Sequence, residues 1–451
     1  MYSYFMSKGL LHENQFGFRK GHSTSHALNF SAHHIKTLLD KKQHVLGIFI
    51  DLSKAFDTID HSTLISKLNH YGVRGNALKL ISSYLSNRKQ YVNVLGEKSE
   101  QLPVLFGVPQ GSVLGPLLFI IYVNDLCNIS DKAKFILFAD DTNIFISANT
   151  KSAAFEIANE VLKLVSSYMT VNLLHINTKK CCYMYFSPNK QKPTEISDNE
   201  VEHYLAIDSK VIQRVSETKF LGVTIDENLT LAPHIHALNK KLNSTCGRLY
   251  RIKKFLPEFL HKQIYHALFE SHLGYAISVW GGVSSNQIKP LFTTQKKCIR
   301  IMFGDNAAFL DKFKTCARAR PIDEQRLDEQ FYRKEPTKPI FSRHNILAVE
   351  NLYRYRCLMD VLKILKYSTP VSLLSLFKKF HRKELLLITP TPSSQFIYKS
   401  SSMWNEFRKV AINLDLSSSV SRFKTLLFKS IMESQKNYGK IWCEKNFCEF
   451  L

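Results

Sequence analysis

Residues 134–147, KFILFADDTNIFIS, set two adjacent carboxylates, Asp140 and Asp141, between two apolar runs. Apolar flanks draw a chain into a core, where a bare pair of like charges is costly. The stretch is best read as a hairpin with strands near 135–138 and 144–147 and the acids at the turn. An isolated Asp-Asp pair is ordinarily a solvated turn. A second stretch alters that balance, because HVLGIFID (44–51) is a continuous apolar strand that ends at Asp51. Two acid-tipped strands can lie adjacent in one sheet. Their three carboxylates would repel one another, and the ordinary remedy is a hard divalent cation held by oxygen ligands. Mg²⁺ suits such a rim: it takes one or two protein carboxylates and fills its shell with water and substrate phosphate, which points to phosphoryl transfer.

Around these acids the chain alternates strands and helices. Ser23 and Thr24 are placed to cap a helix carrying Leu28, Ala32, Ile35 and Leu39, and Asp60 to cap one carrying Leu64, Ile65 and Leu68 that stops at Gly72. VRGNALKLISSYLSNRKQ is expected as a further helix and YVNVLG as a strand. A Gly/Pro loop precedes the buried helix of GPLLFIIYVNDL, in which Pro116 belongs in the first turn or at a kink. A helix over about 152–170, a strand at 181–186, an exposed loop at 188–200 and a last strand at 219–226 follow. Beyond 226 the pattern turns helical, so the fold class is α+β followed by a mainly α-helical region.

Charge divides the chain at the same place. Residues 1–225 hold 24 Lys+Arg against 19 Asp+Glu, a net of +5, and residues 226–451 hold 37 against 19, a net of +18. Such an excess suits a polyanion, because each phosphate neutralised releases condensed counterions, although a basic surface that is merely solvated has the same composition. In the basic half, Ile235, Leu238, Leu242, Leu249 and Ile252 share one helix face, with Lys240, Lys241, Arg248, Arg251, Lys253 and Lys254 largely outside it. Val420, Phe423, Leu427 and Ile431 form a similar stripe. The nine cysteines have no regular spacing and read as reduced intracellular thiols, without a zinc site. The most apolar run, VLGPLLFIIYV, is too short for a membrane span, and no cleavable signal pattern opens the chain.

FIDLSKAFD, GVPQGSVLGPLLF, FADD, INTKKCCYMYF and KFLGV, in that order and at these separations, resemble the palm motifs of reverse transcriptases. QFGFRKGHST and the KAFD continuation resemble most closely the enzymes of non-LTR (LINE-type) retrotransposons, and YAISVWGG, QKKCIRIMFG and SMWNEF extend a looser likeness into the second half. The resemblance implies a palm with partial fingers followed by a helical thumb and C-terminal region: 1–44 partial fingers, 45–226 palm, 227–330 thumb-like, 331–451 basic and helical. It implies an RNA-directed DNA polymerase that extends a DNA primer on an RNA template with deoxynucleoside triphosphates, using Mg²⁺ or alternatively Mn²⁺, in the nucleus and away from membranes.

Carried over by position, Asp51, Asp140 and Asp141 are the expected metal site, and Lys180 the lysine near the leaving pyrophosphate, with Lys179 adjacent. Phe56 matches the aromatic residue that closes off the sugar's 2′ side. Gln110 and Gly111 match the loop against nucleotide and template, and Phe220, Leu221 and Gly222 the turn that grips the primer's 3′ end. Arg19 and Lys20 are expected at triphosphate or template, and Asp57 at the start of the following helix. Only about fifty residues precede Asp51, so an N-terminally truncated enzyme is expected, without the upstream fingers and endonuclease of complete elements. Two other readings compete: an inactive remnant of the same fold that binds nucleic acid, and an RNA-templated RNA polymerase. The latter commonly has an acid where Phe56 stands and a glycine where Ala139 stands.

Overall fold

The computed structural model describes residues 1–189, 203–304, 337–377, 379–380, 383–387, 395–410 and 419–437. Most of the 188–200 loop, the boundary at 330, and Cys316, Cys443 and Cys448 lie outside them.

After a short helix α1 (Tyr2–Ser7), the long α2 (Thr24–Asp40) begins at Ser23, whose side chain accepts the His26 N–H. Strand β1 (His44–Ile50) follows, then α3 (His61–His70) and α4 (Asn76–Leu85). Asp60 caps α3 as expected, accepting from Thr63 N. Four two-residue strands, β2 (Lys89–Gln90), β3 (Asn93–Val94), β4 (Glu97–Lys98) and β5 (Leu102–Pro103), make an exposed ribbon. Little of the strand expected at YVNVLG forms: Tyr91, Val92, Val94 and Leu95 all face solvent, so no core packing extends the pairing. Helix α5 (Leu114–Tyr122) holds Pro116 in its first turn, where its missing N–H costs nothing.

The hairpin β6 (Ala133–Phe138) and β7 (Asp141–Ala148) leads to α6 (Lys151–Val171), β8 (Cys182–Phe186), β9 (Leu205–Ile207) and β10 (Lys210–Arg214). These strands form one sheet in the order β6-β7-β1-β8-β10-β9. Strand β1 is antiparallel to both β7 and β8. Its residues alternate between two cores. Val45 and Phe49 pack with α2 and the helices beyond residue 231, while Leu46, Ile48 and Ile50 pack with α5 and α6. Burial on both faces explains why HVLGIFI is apolar throughout instead of alternating.

The stretch 219–226 departs from expectation. It belongs to a separate hairpin, β11 (Glu217–Phe220) and β12 (Val223–Asp226), not to one strand. The break falls at Leu221 and Gly222, both at positive φ (45° and 81°), which closes a two-residue turn of the kind that matches strand twist.

Helix α7 (Ala232–Lys253) buries Ile235, Leu238, Leu242 and Leu249. Ile252, placed on the same stripe by spacing, is 37% exposed because it falls in the helix's last turn. Lys240, Lys241, Arg248, Arg251 and Lys254 are exposed, as the pattern implies. The short helices α8 (His261–Tyr265), α9 (Ser271–Leu273) and α10 (Ile277–Trp280) lead to α11 (Ser285–Phe303), which packs along α7. Helices Thr337–Arg343, Val349–Tyr367, Val371–Leu374, Gln395–Val410 and Val420–Asn437 follow, with a short hairpin of Lys379–Phe380 and Lys383–Leu387 among them, and the last helix buries Phe423, Leu427 and Ile431. The whole is α+β followed by helices. No helix among the described residues is long and apolar enough to cross a membrane, and the six described cysteines are all free thiols.

Candidate active site

The two acid-tipped strands are neighbours. Ile50 at the end of β1 pairs with Thr142, so Asp51, the next residue, leaves the sheet beside Asp141, the first residue of β7. Asp140 stands in the two-residue turn that joins Phe138 to Asp141. Asp51 is held from its other side, where its carbonyl accepts Asn177 N and the chain continues through a bridge between Leu52 and Ile176.

The Asp141 carboxyl is held above its ordinary range, first by desolvation and then by the charges of Asp140 and Asp51. Because Asp141 remains solvent-exposed, the two neighbouring charges are the more telling cause. Lys180 Nζ stands 3.6 Å from Asp51 Oδ2, an exposed pair that supplies a cation beside the acids. Among the described residues no group of three or more His, Cys, Asp or Glu side chains stands arranged to hold a metal ion by itself. An open rim of hard oxygen donors that repel one another suits Mg²⁺, which needs few protein ligands and keeps places for water and phosphate.

The turn that carries Asp140 is strained and buttressed. Ala139 sits at φ 57°, a region that costs a residue with a side chain on the order of 1 kcal/mol or more. The segment 14–17 runs alongside β6: Phe16 N donates to Leu137 O and Leu137 N to Asn14 O. Gln15, 0% exposed, accepts from both Gly17 N (2.8 Å) and Ala139 N (3.2 Å) through its Oε1. Gly17 lies so close that a Cβ there would stand 2.3 Å from Ala139 N, which only glycine avoids.

Phe56 is half-buried. Its ring stacks on Phe119 at 4.5 Å and meets Phe18 edge-on at 6.2 Å. The loop 106–110 runs beside it, with Val108 N on Phe56 O and Gly107 N on Ile59 O. Gln110 Nε2 donates to Asp57 Oδ1 at 2.8 Å, and Gly111 is exposed at φ 79°. Asp57 thus tethers this loop just before α3, which Asp60 caps. Arg19 Nη1 donates to the carbonyls of His12 and Gln15, which braces its own loop, while its Nε has no hydrogen-bond partner among the described residues. Lys20 beside it is exposed.

Phe220 is buried against Phe49, and Leu221 and Gly222 form the projecting turn. The structure therefore gathers Asp51, Asp140, Asp141 and Lys180 at one rim, and Phe56, Gln110 and Gly111 along one loop. Gln15 and Phe18 have places here that sequence spacing did not assign, although both lie in the QFGFRKGHST motif.

Residues 3–225 match the family model described as reverse transcriptase (RNA-dependent DNA polymerase). The chain is 29% identical over 308 residues to a probable RNA-directed DNA polymerase from transposon BS of Drosophila melanogaster, covering 64% of this chain and 32% of that protein. It is 26% identical over 300 residues to the RNA-directed DNA polymerase from mobile element jockey of the same species, with the same coverage. A Pol polyprotein from the type-1 retrotransposable element R1 of Bradysia coprophila is 29% identical over 274 residues, covering 59% of this chain and 26% of that protein. The chain thus spans about a third or less of the length of these relatives. Telomerase from Candida tropicalis aligns at 12% identity and a TM-score of 0.36, over 89% of this chain and 59% of that one, too loosely to bear weight.

Proposed function

Residues 3–225 belong to the reverse transcriptase family, with relatives among non-LTR retrotransposon polymerases, and on that premise we propose that the protein extends a DNA primer on an RNA template. The observation that carries this reading is the register of β1 against β7, which brings Asp51 beside Asp141 with Asp140 in the adjoining turn. In this reading residues 1–44 supply a fingers segment, 45–226 the palm, 227–330 a thumb-like region and 331–451 a basic C-terminal region.

Asp51, Asp140 and Asp141 would hold Mg²⁺, or Mn²⁺ in its place. Bound there, divalent ions supply Lewis-acid activation of the primer's 3′-hydroxyl and charge stabilisation at the leaving pyrophosphate. The 3′-oxygen forms its bond to the α-phosphorus of a deoxynucleoside triphosphate as the bond to pyrophosphate breaks. Lys180, beside Asp51, neutralises charge on the departing group. Phe56, whose ring stacks on Phe119 and meets Phe18 edge-on, would exclude a ribose 2′-hydroxyl. Gln110 and Gly111 lie along nucleotide and template, and the turn of Phe220, Leu221 and Gly222 receives the primer's 3′ end.

The test is primer extension by the purified chain on an RNA template with Mg²⁺ and either dNTPs or rNTPs, beside Asp140→Asn. Incorporation of dNTPs by the wild type, and about a hundredfold to a thousandfold less by the variant, on the order expected for loss of a central electrostatic group, is the expected result. Template–primer binding without incorporation by either protein would leave a nucleic-acid-binding fold without polymerase activity. Preferential use of rNTPs would mark an RNA polymerase.

A further inference from the structure

The YAISVWGG segment lies outside the acid rim, yet its first residue reaches the β11–β12 turn. Tyr275 Oη donates to Leu221 O at 2.8 Å and stands 3.3 Å from Thr24 Oγ1 at the start of α2. Its ring lies against Gly222: a Cβ there would stand 2.9 Å from Tyr275 Cε1. Tyr275 is itself fixed. Trp280, 0% exposed, donates its indole N–H to Tyr275 O at 2.9 Å, and the His234 ring packs beside Trp280 while its Nδ1 lies 3.4 Å from Thr224 N on β12.

The turn needs such a clamp. Leu221 sits at φ 45°, a conformation that favours glycine or asparagine. A strained turn persists only where its surroundings over-determine it. Here the Tyr275 hydroxyl fixes the carbonyl of Leu221 and its ring fills the side that Gly222 leaves open. The phenol remains partly exposed beside the turn.

We propose that Tyr275 is a positioning residue that locks the Leu221–Gly222 turn in the conformation that seats the primer's 3′ end, tying the helical half and the start of α2 to that seat. This rests on the reading of the turn as the primer-gripping element. Loss of the hydroxyl leaves the phenyl packing in place and frees the Leu221 carbonyl.

The test compares the full wild-type chain with Tyr275→Phe in two measurements that need no catalysis. Amide hydrogen exchange over residues 220–224 of the free protein is expected to quicken about fivefold to tenfold in the variant, the scale of one hydrogen bond removed. A DNA primer with 2-aminopurine at its 3′ terminus, annealed to RNA, is expected to lose at least half of its wild-type fluorescence change, while affinity for the duplex stays within about twofold. Unchanged exchange and fluorescence would overturn the lock. A fall in affinity that accounts for the fluorescence loss would also overturn it, showing general duplex binding by the phenol. The same preparations are assayed for dNTP incorporation. A wild type that binds duplex but incorporates nothing defeats the polymerase reading alone, since the two comparisons still decide the role of Tyr275.

Discussion

At the residue scale, the candidate site is a balance between repulsion and restraint. The Asp141 carboxyl has a folded-state pKa above its unfolded one. Such a group favours folding below the unfolded value and costs stability as pH rises through the folded value. Asp141→Asn, which mimics the protonated form, should therefore raise the melting temperature of the metal-free protein at neutral pH. The gain should vanish at acid pH, and Mg²⁺ should stabilise the wild type more than the variant. Differential scanning fluorimetry across pH, with and without Mg²⁺, measures all three. Gln15 supplies the restraint. Gln15→Ala leaves the buried N–H groups of Gly17 and Ala139 without their acceptor, so urea unfolding should show a loss of about 2 kcal/mol or more, and extension should need more Mg²⁺. Phe56→Val should lower discrimination against rNTPs by about tenfold or more, read as the ratio of kcat/KM values. The acids were legible in the sequence because each stands at the end of an apolar run that the core draws in. Gln15 was not, because its hydrogen bond with Ala139 spans 124 residues and passes through one carboxamide oxygen.

At the element scale, the connection from the β11–β12 hairpin to α7 turns on Asp226. Its carboxylate accepts from Thr230 N, Thr230 Oγ1 and Leu231 N, and the residue is buried. Leu229 and Leu231 both sit at positive φ in this connection, and three charge-assisted hydrogen bonds hold them there. Asp226→Ala should cost about 3 kcal/mol and loosen α7 before the main sheet, which amide exchange on 229–240 against 44–50 would resolve. Helical spacing gave α2, α3, α6 and most of the α7 face correctly, since each has a capping residue or a sustained apolar stripe. The 219–226 hairpin escaped the pattern because its apolar residues run straight through a turn that lacks Asn, Asp or Pro. The clamp that stabilises it comes from Tyr275, 54 residues away.

At the scale of the whole molecule, the charge gradient along the chain matches the division between sheet and helices. The second half carries a net of +18, and the outer face of α7 exposes Lys240, Lys241, Arg248 and Arg251. If this face tracks a phosphate backbone, the log of the binding constant for an RNA–DNA duplex should fall linearly with log salt. Charge reversal at Lys240 and Lys241 should make that slope shallower by about 1 for each phosphate that is no longer neutralised, which a salt-titrated anisotropy series would measure. A slope equal to that of the wild type would assign the helix to an ordinary solvated surface.

The stretch from Gln15 to Thr24 touches several separated parts of the molecule. One end steadies the peptide of Ala139, the other meets the Tyr275 phenol, and Phe18 between them leans on Phe56. Ten residues thus link the turn of Asp140 to the turn of Leu221 and Gly222. If the turn of Leu221 and Gly222 seats a primer as proposed, a ligand that shifts the middle of this stretch would be felt at the acids and at that turn together, so nucleotide occupancy and primer alignment should behave as one cooperative event.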